Sequence, residues 1–439
     1  MDQTIELRPD SEAAPGRLDA HLAFLVTDLR GGGVQKMITI LATALAERGA
    51  RIDILVCEDE GDLKEGLPES VSIIPLKKRN PITTRLAALR ADIGAIAALA
   101  RPLLSRKHGS KSLRHMPSLA DYLRTARPDT LFAATPYLNI EAVLARRLAR
   151  VATRIVVSER SHFSSGKPRK EWRRRNLTPL LRKAYLEADA IVAVSHGVAA
   201  DIAATAGIPR EAITTLYNPT ITPDFAARMR EPVAHPWFAE GAPPVVLGVG
   251  RLAYQKDFPT LVRAFARVVR ERPARLVIAG QGNRKDFDRL YTLASELGIR
   301  DRVDLLGHVA NPVAYTARAA VFVLSSRFEG FPNVVLEALA CGTPVVSTDC
   351  PSGPREILDD GAYGALVPVG DDAALAAAIS ATLDDPPDAR RLQARAAVFD
   401  YDTAIMHYEA VLLGKPVTSS HGLGSRVPAT VAAASAHTA

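Results

Sequence analysis

HLAFLVTDLRGGGVQKMITILATALAERGARIDILV, residues 21–56, decides the architecture of the chain. His21 to Val26 has the length and apolar content of a buried strand, and it runs into a turn holding Gly31, Gly32 and Gly33. From Val34 to Arg48 the apolar side chains Met37, Ile38, Ile40, Leu41 and Leu45 recur at helical spacing, and Gly49 stops the helix. Arg51 to Val56 is apolar again and reads as a second strand. A strand, glycine turn, helix and strand in succession predict a parallel pair joined by a right-handed crossover, the repeating unit of an α/β fold.

The same rhythm continues through strand-like runs at Leu131–Ala134, Arg154–Ser158, Ala190–Val194 and Ala212–Leu216. It stops in the proline-rich stretch from Asn218 to Pro244 and then restarts. Val245–Val249, Arg275–Ala279, Val303–Leu306, Val321–Leu324, Pro344–Ser347 and Ala365–Val367 are the second set of strands. At 439 residues the chain exceeds one ordinary core. The expectation is two Rossmann-like parallel-sheet lobes, residues 21–220 and 245–398, joined by a linker at 221–244. A C-terminal helix at 399–414 is expected to cross back to the first lobe, with disordered ends at 1–20 and 415–439. Ligands of such sheets sit at the carboxyl ends of the strands, so the cleft between the lobes is the expected site.

Composition narrows the class. Hydrophobic residues make up 47% and charged residues 23%, a globular balance. Cys57, Cys341 and Cys350 are too few and scattered for a disulfide framework or a metal cage, which favours a reducing compartment. Residues 1–18 carry no secretory signal, and Leu86–Ala100 includes Arg90 and Asp92 and reads as a soluble helix, so a cytoplasmic location is expected. The charge is uneven. Residues 101–200 hold 20 Lys/Arg against 7 Asp/Glu, a balance of +13 in a chain of net +7, leaving −6 elsewhere. That field predicts an anionic partner for the first lobe.

Five segments could carry chemistry. In the run from Ser326 to Val346 a strand ends before Glu329 and Gly330, Pro332 suits a first helical turn, and the amides of Asn333 and Val334 open the helix. Those amides and the helix dipole make a diphosphate site, while Glu329 and Glu337 can each accept hydrogen bonds from vicinal sugar hydroxyls. Arg251 and Lys256 follow a buried strand and read either as a pair that holds a leaving diphosphate or as ordinary surface cations at a strand end. Gly32 and Gly33 resemble a phosphate cradle without the dinucleotide-fold spacing. Glu159 and His162 stand at the end of another strand as alternative polar catalytic groups. Lys170, Arg173, Arg174 and Arg175 belong to a basic, leucine-containing run that reads either as a surface for anionic lipid or as a solvated helix face. Too few aromatics interleave with these cations for nucleic acid. Asp286 and Asp288 imitate a metal-binding pair, but helical spacing separates their carboxylates. No other cluster has metal-ligand spacing.

Taken together, these motifs resemble the retaining glycosyltransferases of the GT-B fold, family four, from about His21 to Leu413. The family's E-x7-E signature corresponds to Glu329 and Glu337. The resemblance implies that Arg251 and Lys256 bind the donor diphosphate, that Gly32 and Gly33 lie near the donor phosphate and acceptor, and that the strands ending near Gly280 and Val309 flank the nucleobase. Gly330, Phe331, Asn333 and Val334 line the donor loop, with Glu329 on the hexose and Glu337 on the ribose. Many members carry a His where this chain has Glu159, and Pro332 stands where a glycine is common. The implied reaction moves a hexose or N-acetylhexosamine from a nucleotide-sugar, UDP-linked by the resemblance of the Cys350–Glu356 loop, to a glycan or lipid-linked hydroxyl with retention. No metal or other cofactor is implied, and peripheral contact with an anionic membrane is expected. An oxidoreductase would need glycine spacing that the chain lacks. A GT-B epimerase or hydrolase, or a non-catalytic nucleotide-sugar binder, is the alternative.

Overall fold

The computed structural model describes residues 18–91, 112–165 and 171–417, with the side chains of 81, 89, 112 and 171–176 outside the description. The first lobe runs β1 (His21–Val26), α1 (Gly33–Glu47), β2 (Arg51–Val56), β3 (Val71–Pro75), α2 (Pro81–Ala91), α3 (Met116–Ala126) and β4 (Thr130–Ala133). It continues through α4 (Pro136–Ala149), β5 (Arg154–Glu159), α5 (Glu171–Glu187), β6 (Ala190–Ala193), α6 (His196–Ala206) and β7 (Ile213–Thr215). After α7 (Phe225–Arg230) come β8 (Val245–Val249), α8 (Phe258–Val268), β9 (Arg275–Ala279), α9 (Arg284–Glu296), β10 (Val303–Gly307), α10 (Pro312–Thr316) and β11 (Val321–Leu324). The remaining elements are α11 (Asn333–Cys341), β12 (Val345–Thr348), α12 (Pro354–Ile357), β13 (Ala365–Val367), α13 (Asp372–Asp384), α14 (Ala389–Ala397) and α15 (Tyr401–Leu412).

Two parallel sheets result, a seven-stranded one ordered β3-β2-β1-β4-β5-β6-β7 and a six-stranded one ordered β10-β9-β8-β11-β12-β13. Helices cover both faces, which is why β1, β2 and β4 are buried almost continuously rather than at alternate residues, Asp53 of β2 and Thr130 of β4 included. Register pairs Phe24 with Ile54 on one side and with Phe132 on the other. Strand order reverses between β1 and β4 in one sheet and between β8 and β11 in the other. Crevices open at those switch points, and they receive the Gly31–Gly33 turn and the Arg251–Lys256 and Ser326–Gly330 loops.

The sequence reading omitted β3. It is an edge strand with Ser72 exposed and Pro75 at its end, so it has no continuous apolar run to announce it. The apolar stretch expected from Leu86 to Ala100 is helical to Ala91, and its remainder lies outside the described residues, as do 1–17 and 418–439 of the expected disordered ends. The chain after Pro387 is two helices, because Val398–Asp400 breaks the run and Asp400 caps α15 through its carboxylate to the Thr403 N–H.

That break carries the chain back across the molecule. Ile405, Tyr408, Val411 and Leu412 of α15 are buried with Phe24 and Phe132 of the first lobe. The Thr130 hydroxyl donates to the Leu412 carbonyl at 2.6 Å, and Arg48 pairs with Glu409 at 3.1 Å. Tyr217, on the first crossing, and Phe399, on the second, pack at 5.1 Å, and both rings contact Phe331 of the donor-side loop, at 5.2 and 5.6 Å. The hinge and the loop after β11 therefore share one aromatic cluster.

Candidate active site

The loops after β8 and β11, neighbours at the switch point of the second sheet, meet through Lys256 and Glu329. The Glu329 carboxylate is buried, and its Oε1 accepts from Lys256 Nζ at 2.8 Å and from Ser326 Oγ at 2.6 Å. Its Oε2 accepts from Gln255 Nε2 at 3.2 Å. Three donors on one carboxylate hold the loop in a single geometry, with the charge of Lys256 supplying the strongest of the bonds. Arg251 stands exposed on the same loop, with no ion-pair partner among the described residues.

Glu337 sits on α11, half-buried, eight residues after Glu329. Burial pushes its carboxyl above the usual carboxylate range, and the charges of Lys36, Arg228 and Lys256 pull it partly back. Lys36 belongs to the first turns of α1, just beyond Gly32 and Gly33, so the glycine turn of one lobe and the acidic helix of the other face the same space. The first turn of α11 has no side-chain cap, since Pro332 precedes it, and the amides of Asn333 and Val334 begin the helix. The Asn333 side chain is engaged, its Oδ1 accepting from Asn218 Nδ2 at 2.6 Å.

The lobes touch at this point. His162 donates its backbone N–H to the Glu329 carbonyl at 3.1 Å, and Ser195 Oγ donates to the Gly330 carbonyl at 2.8 Å. Gly330 has no room for a side chain, because a Cβ there would lie 2.1 Å from the Arg160 carbonyl oxygen. Arg160 in turn bonds the Tyr408 hydroxyl at 2.7 Å and the Asn218 side chain. Below the strands, Gly280 packs against the Gly250 carbonyl and donates to the Gly307 carbonyl at 2.7 Å, closing the floor, with Val309 half-buried just beyond β10.

The two alternatives at the end of β5 are separated by the fold. Glu159 is 2% exposed, and its carboxyl accepts from the Tyr185 hydroxyl and from Asn139 Nδ2 at 3.4 Å. Burial pushes it up to about 8, against the pull of those donors. His162 lies on the loop that touches Glu329, with Nδ1 2.9 Å from Ser165 Oγ and 3.5 Å from the Asp201 carboxylate. Burial lowers its proton affinity and Asp201 opposes that shift. Of the basic run, Lys170 lies outside the described residues, and Arg173, Arg174 and Arg175 fall on the α5 backbone without described side chains. Asp286 is taken up by a capping box with Asn283 at the start of α9, and Asp288 lies 3.9 Å from Arg284. Among the described residues no group of three or more His, Cys, Asp or Glu is placed to hold a metal ion.

Several contributors carried little or no signal in the sequence. Ser326 and Gln255 adjoin recognised motif residues, whereas Lys36, Arg228, Asp201, Asn139 and Tyr185 reach their places only through the fold.

Known proteins share this fold. Residues 31–222 match the Glycosyltransferase Family 4 domain, and residues 233–398 match Glycosyl transferases group 1. Over 262 residues the chain is 32% identical to N-acetylgalactosamine-N,N'-diacetylbacillosaminyl-diphospho-undecaprenol 4-alpha-N-acetylgalactosaminyltransferase of Campylobacter jejuni, covering 58% of this chain and 67% of that one. Over 189 residues it is 34% identical to lipopolysaccharide 1,6-galactosyltransferase of Salmonella typhimurium, covering 42% and 49%. The crystal structure of Anabaena Alr3699/HepE in complex with UDP and glucose superposes with a TM-score of 0.68 at 21% identity, over 90% of this chain and 100% of that one. The protein is a two-lobed GT-B glycosyltransferase. It belongs to glycosyltransferase family 4.

Proposed function

We propose that this enzyme transfers a hexose or N-acetylhexosamine from a UDP-sugar to a hydroxyl of a glycan or lipid-linked acceptor, with retention, in cell-surface polysaccharide synthesis. The observation that carries the reading is the Lys256–Glu329–Ser326 cluster at the β8–β11 switch point, directly beside the open first turn of α11 and bonded to the His162 loop of the other lobe. UDP in the HepE complex and the undecaprenol-linked and lipopolysaccharide acceptors named for the Campylobacter and Salmonella enzymes support the donor and acceptor classes.

In this reading Arg251, Lys256 and the amides of Asn333 and Val334 stabilise the negative charge that develops on the departing diphosphate, the largest demand of the reaction. That role is assigned to these groups rather than to a metal. Glu329, held by Lys256, Ser326 and Gln255, takes the sugar hydroxyls, and Glu337 takes the ribose. Gly280 and Val309 border the base. The departing phosphate receives the acceptor proton on the same face, so no strong base is required, and His162 orients the acceptor hydroxyl. Glu159, sequestered by Tyr185 and Asn139, supports the β5 loop from beneath. Among the described residues no helix is long and apolar enough to cross a membrane. In this reading a lipid-linked acceptor is met by peripheral contact with the bilayer, at the inner face of the cytoplasmic membrane.

Thermal-shift screening of UDP- and GDP-sugars identifies the donor, because a ligand that binds the native state raises its melting temperature by mass action. Incubation of the chosen donor with a membrane extract, followed by mass and NMR analysis, reads the product and its anomeric configuration. Free sugar without glycoside would replace transfer by hydrolysis, and donor binding without turnover would leave only a binding protein.

A further inference from the structure

Among the residues whose side chains are described, Tyr254 is the one aromatic side chain that is exposed, at 41%. The other exposed large apolar side chains, Ile82, Leu86, Leu186, Val369, Val398 and Met406, carry no ring. Tyr254 also stands at a particular place. It lies at the tip of the turn from Ala253 to Lys256, which the Lys256 N–H closes on the Ala253 carbonyl at 3.0 Å. That turn follows the carboxyl end of β8, between Arg251 and Lys256.

The ring is held from several sides. The Arg327 guanidinium lies over it, 4.8 Å from the ring centroid. Arg327 Nη2 pairs with Asp257 Oδ2 at 2.7 Å, and the Arg327 N–H donates to the Gln255 carbonyl at 2.7 Å. Asp257 is buried, and its Oδ2 also accepts from Thr260 Oγ1 at 2.9 Å. Its backbone has φ 45°, in the left-handed region that residues other than glycine seldom adopt. Such conformations persist where surrounding contacts over-determine them, and they gather at ligand sites. Gln255 Nε2 adds a bond to the Phe328 carbonyl at 2.9 Å, so the turn is fastened to the loop after β11. A ring fixed before its ligand arrives removes part of the ordering cost of binding.

We propose that Tyr254 is a platform for the sugar ring of the acceptor, and that the donor-side lobe thereby contributes a specificity-determining residue to the acceptor site. A pyranose presents C–H bonds on its face and hydroxyls around its edge, so a flat aromatic side chain takes the face while polar groups take the edge. The diphosphate and ribose of a nucleotide-sugar call instead for charge and hydrogen bonds, which Arg251, Lys256, the α11 amides and Glu337 are assigned to supply. The Lys256 and Glu329 side chains are largely covered, whereas the Tyr254 ring is open to solvent, so the ligand that reaches it lies outside the donor. The inference rests on the transfer reaction proposed above and adds a residue to its acceptor side.

The test uses the donor selected by thermal shift and titrates membrane extract as the source of acceptor. Tyr254→Ala raises the amount of extract that gives half-maximal transfer about tenfold, the factor expected when a stacked ring is lost, and leaves the maximal rate within about twofold of wild type. Tyr254→Phe keeps the ring face and titrates like wild type. Tyr254→Leu, apolar but not flat, behaves like Tyr254→Ala. All three keep the wild-type melting temperature and, in calorimetry, the wild-type affinity for the UDP-sugar, because the position is exposed and outside the donor contacts. The inference is overturned if Tyr254→Ala titrates like wild type, or if leucine serves as well as phenylalanine. It is equally overturned if affinity for the UDP-sugar falls instead, which would put the ring on the donor. A wild-type chain that binds no nucleotide-sugar removes the transferase reading and this inference with it, whereas intact transfer with an unchanged half-saturation point in Tyr254→Ala removes this inference alone.

Discussion

Lys256→Met takes the charge from a pair whose nitrogen and oxygen are 2.8 Å apart and whose side chains are 17% and 8% exposed. Breaking a buried pair from one side costs about 3–5 kcal/mol when the surviving charge is stranded. Glu329 keeps two neutral donors, Ser326 Oγ at 2.6 Å and Gln255 Nε2 at 3.2 Å, so the expected cost lies below that range, at about 2–3 kcal/mol. For a lobe of this size that lowers the melting temperature by roughly 5–10 °C. Adding Glu329→Gln removes the stranded carboxylate, and the double variant returns to within about 1 kcal/mol of wild type. Transfer does not return, because in the proposed reading the ammonium assigned to the leaving diphosphate and the carboxylate assigned to the sugar hydroxyls are then both missing; a loss of about a hundredfold or more in kcat is expected. Calorimetric unfolding and transfer from a radiolabelled UDP-sugar, run on the wild type and both variants, read both quantities. The reasoning fails if the double variant is as unstable as Lys256→Met alone. It fails also if Lys256→Met keeps transfer within about threefold of wild type.

Glu159 makes stability depend on pH. Its proton is held up to about 8 in the folded chain against an ordinary value of 4.5, so the stabilisation present at low pH is lost as pH rises between those values. Glu159→Gln flattens that slope and is the more stable form above pH 8, as denaturant midpoints across the range will register; an unchanged slope excludes the assignment. His162→Ala lowers transfer by about a hundredfold while leaving UDP affinity unchanged in calorimetry, because the proposed reading puts the imidazole on the acceptor side; weakened UDP binding would move it to the donor site. Gly330→Ala pushes a methyl group against the Arg160 carbonyl and costs about 1–3 kcal/mol, with transfer reduced in parallel. A variant with wild-type stability and rate would show that the lobes need not meet at that point.

Much of the architecture was legible because each strand and helix announces itself through local chemistry. His21–Val56 contains its own period, its own glycine turn and its own helix stop, and the structure pairs those two strands in parallel. Where the local pattern is weak the reading was incomplete, as at β3, whose exposed edge and terminal proline remove the apolar run that marks central strands. Among the site residues, Lys256 and Glu329 were recognisable as chemistry, but their ion pair was not, since they are separated by 73 positions and meet only because β8 and β11 are neighbours.

The sequence by itself determined the two α/β lobes, the carboxylates at 329 and 337, the cations at 251 and 256 and the surplus of positive charge in the first lobe. Those features are written in residue type and short-range spacing. Tertiary structure decided what no short window contains. It sends Glu159 inward to Tyr185 and Asn139 while holding His162 on the Glu329 carbonyl, it brings Lys36 and Arg228 to Glu337, and it turns Ile82 and Leu86 outward on α2. The physical reason is common to all three. Whether a side chain is buried, paired or exposed depends on which distant strand or helix packs beside it, and that neighbour is chosen by sheet order and lobe contact rather than by the residues on either side.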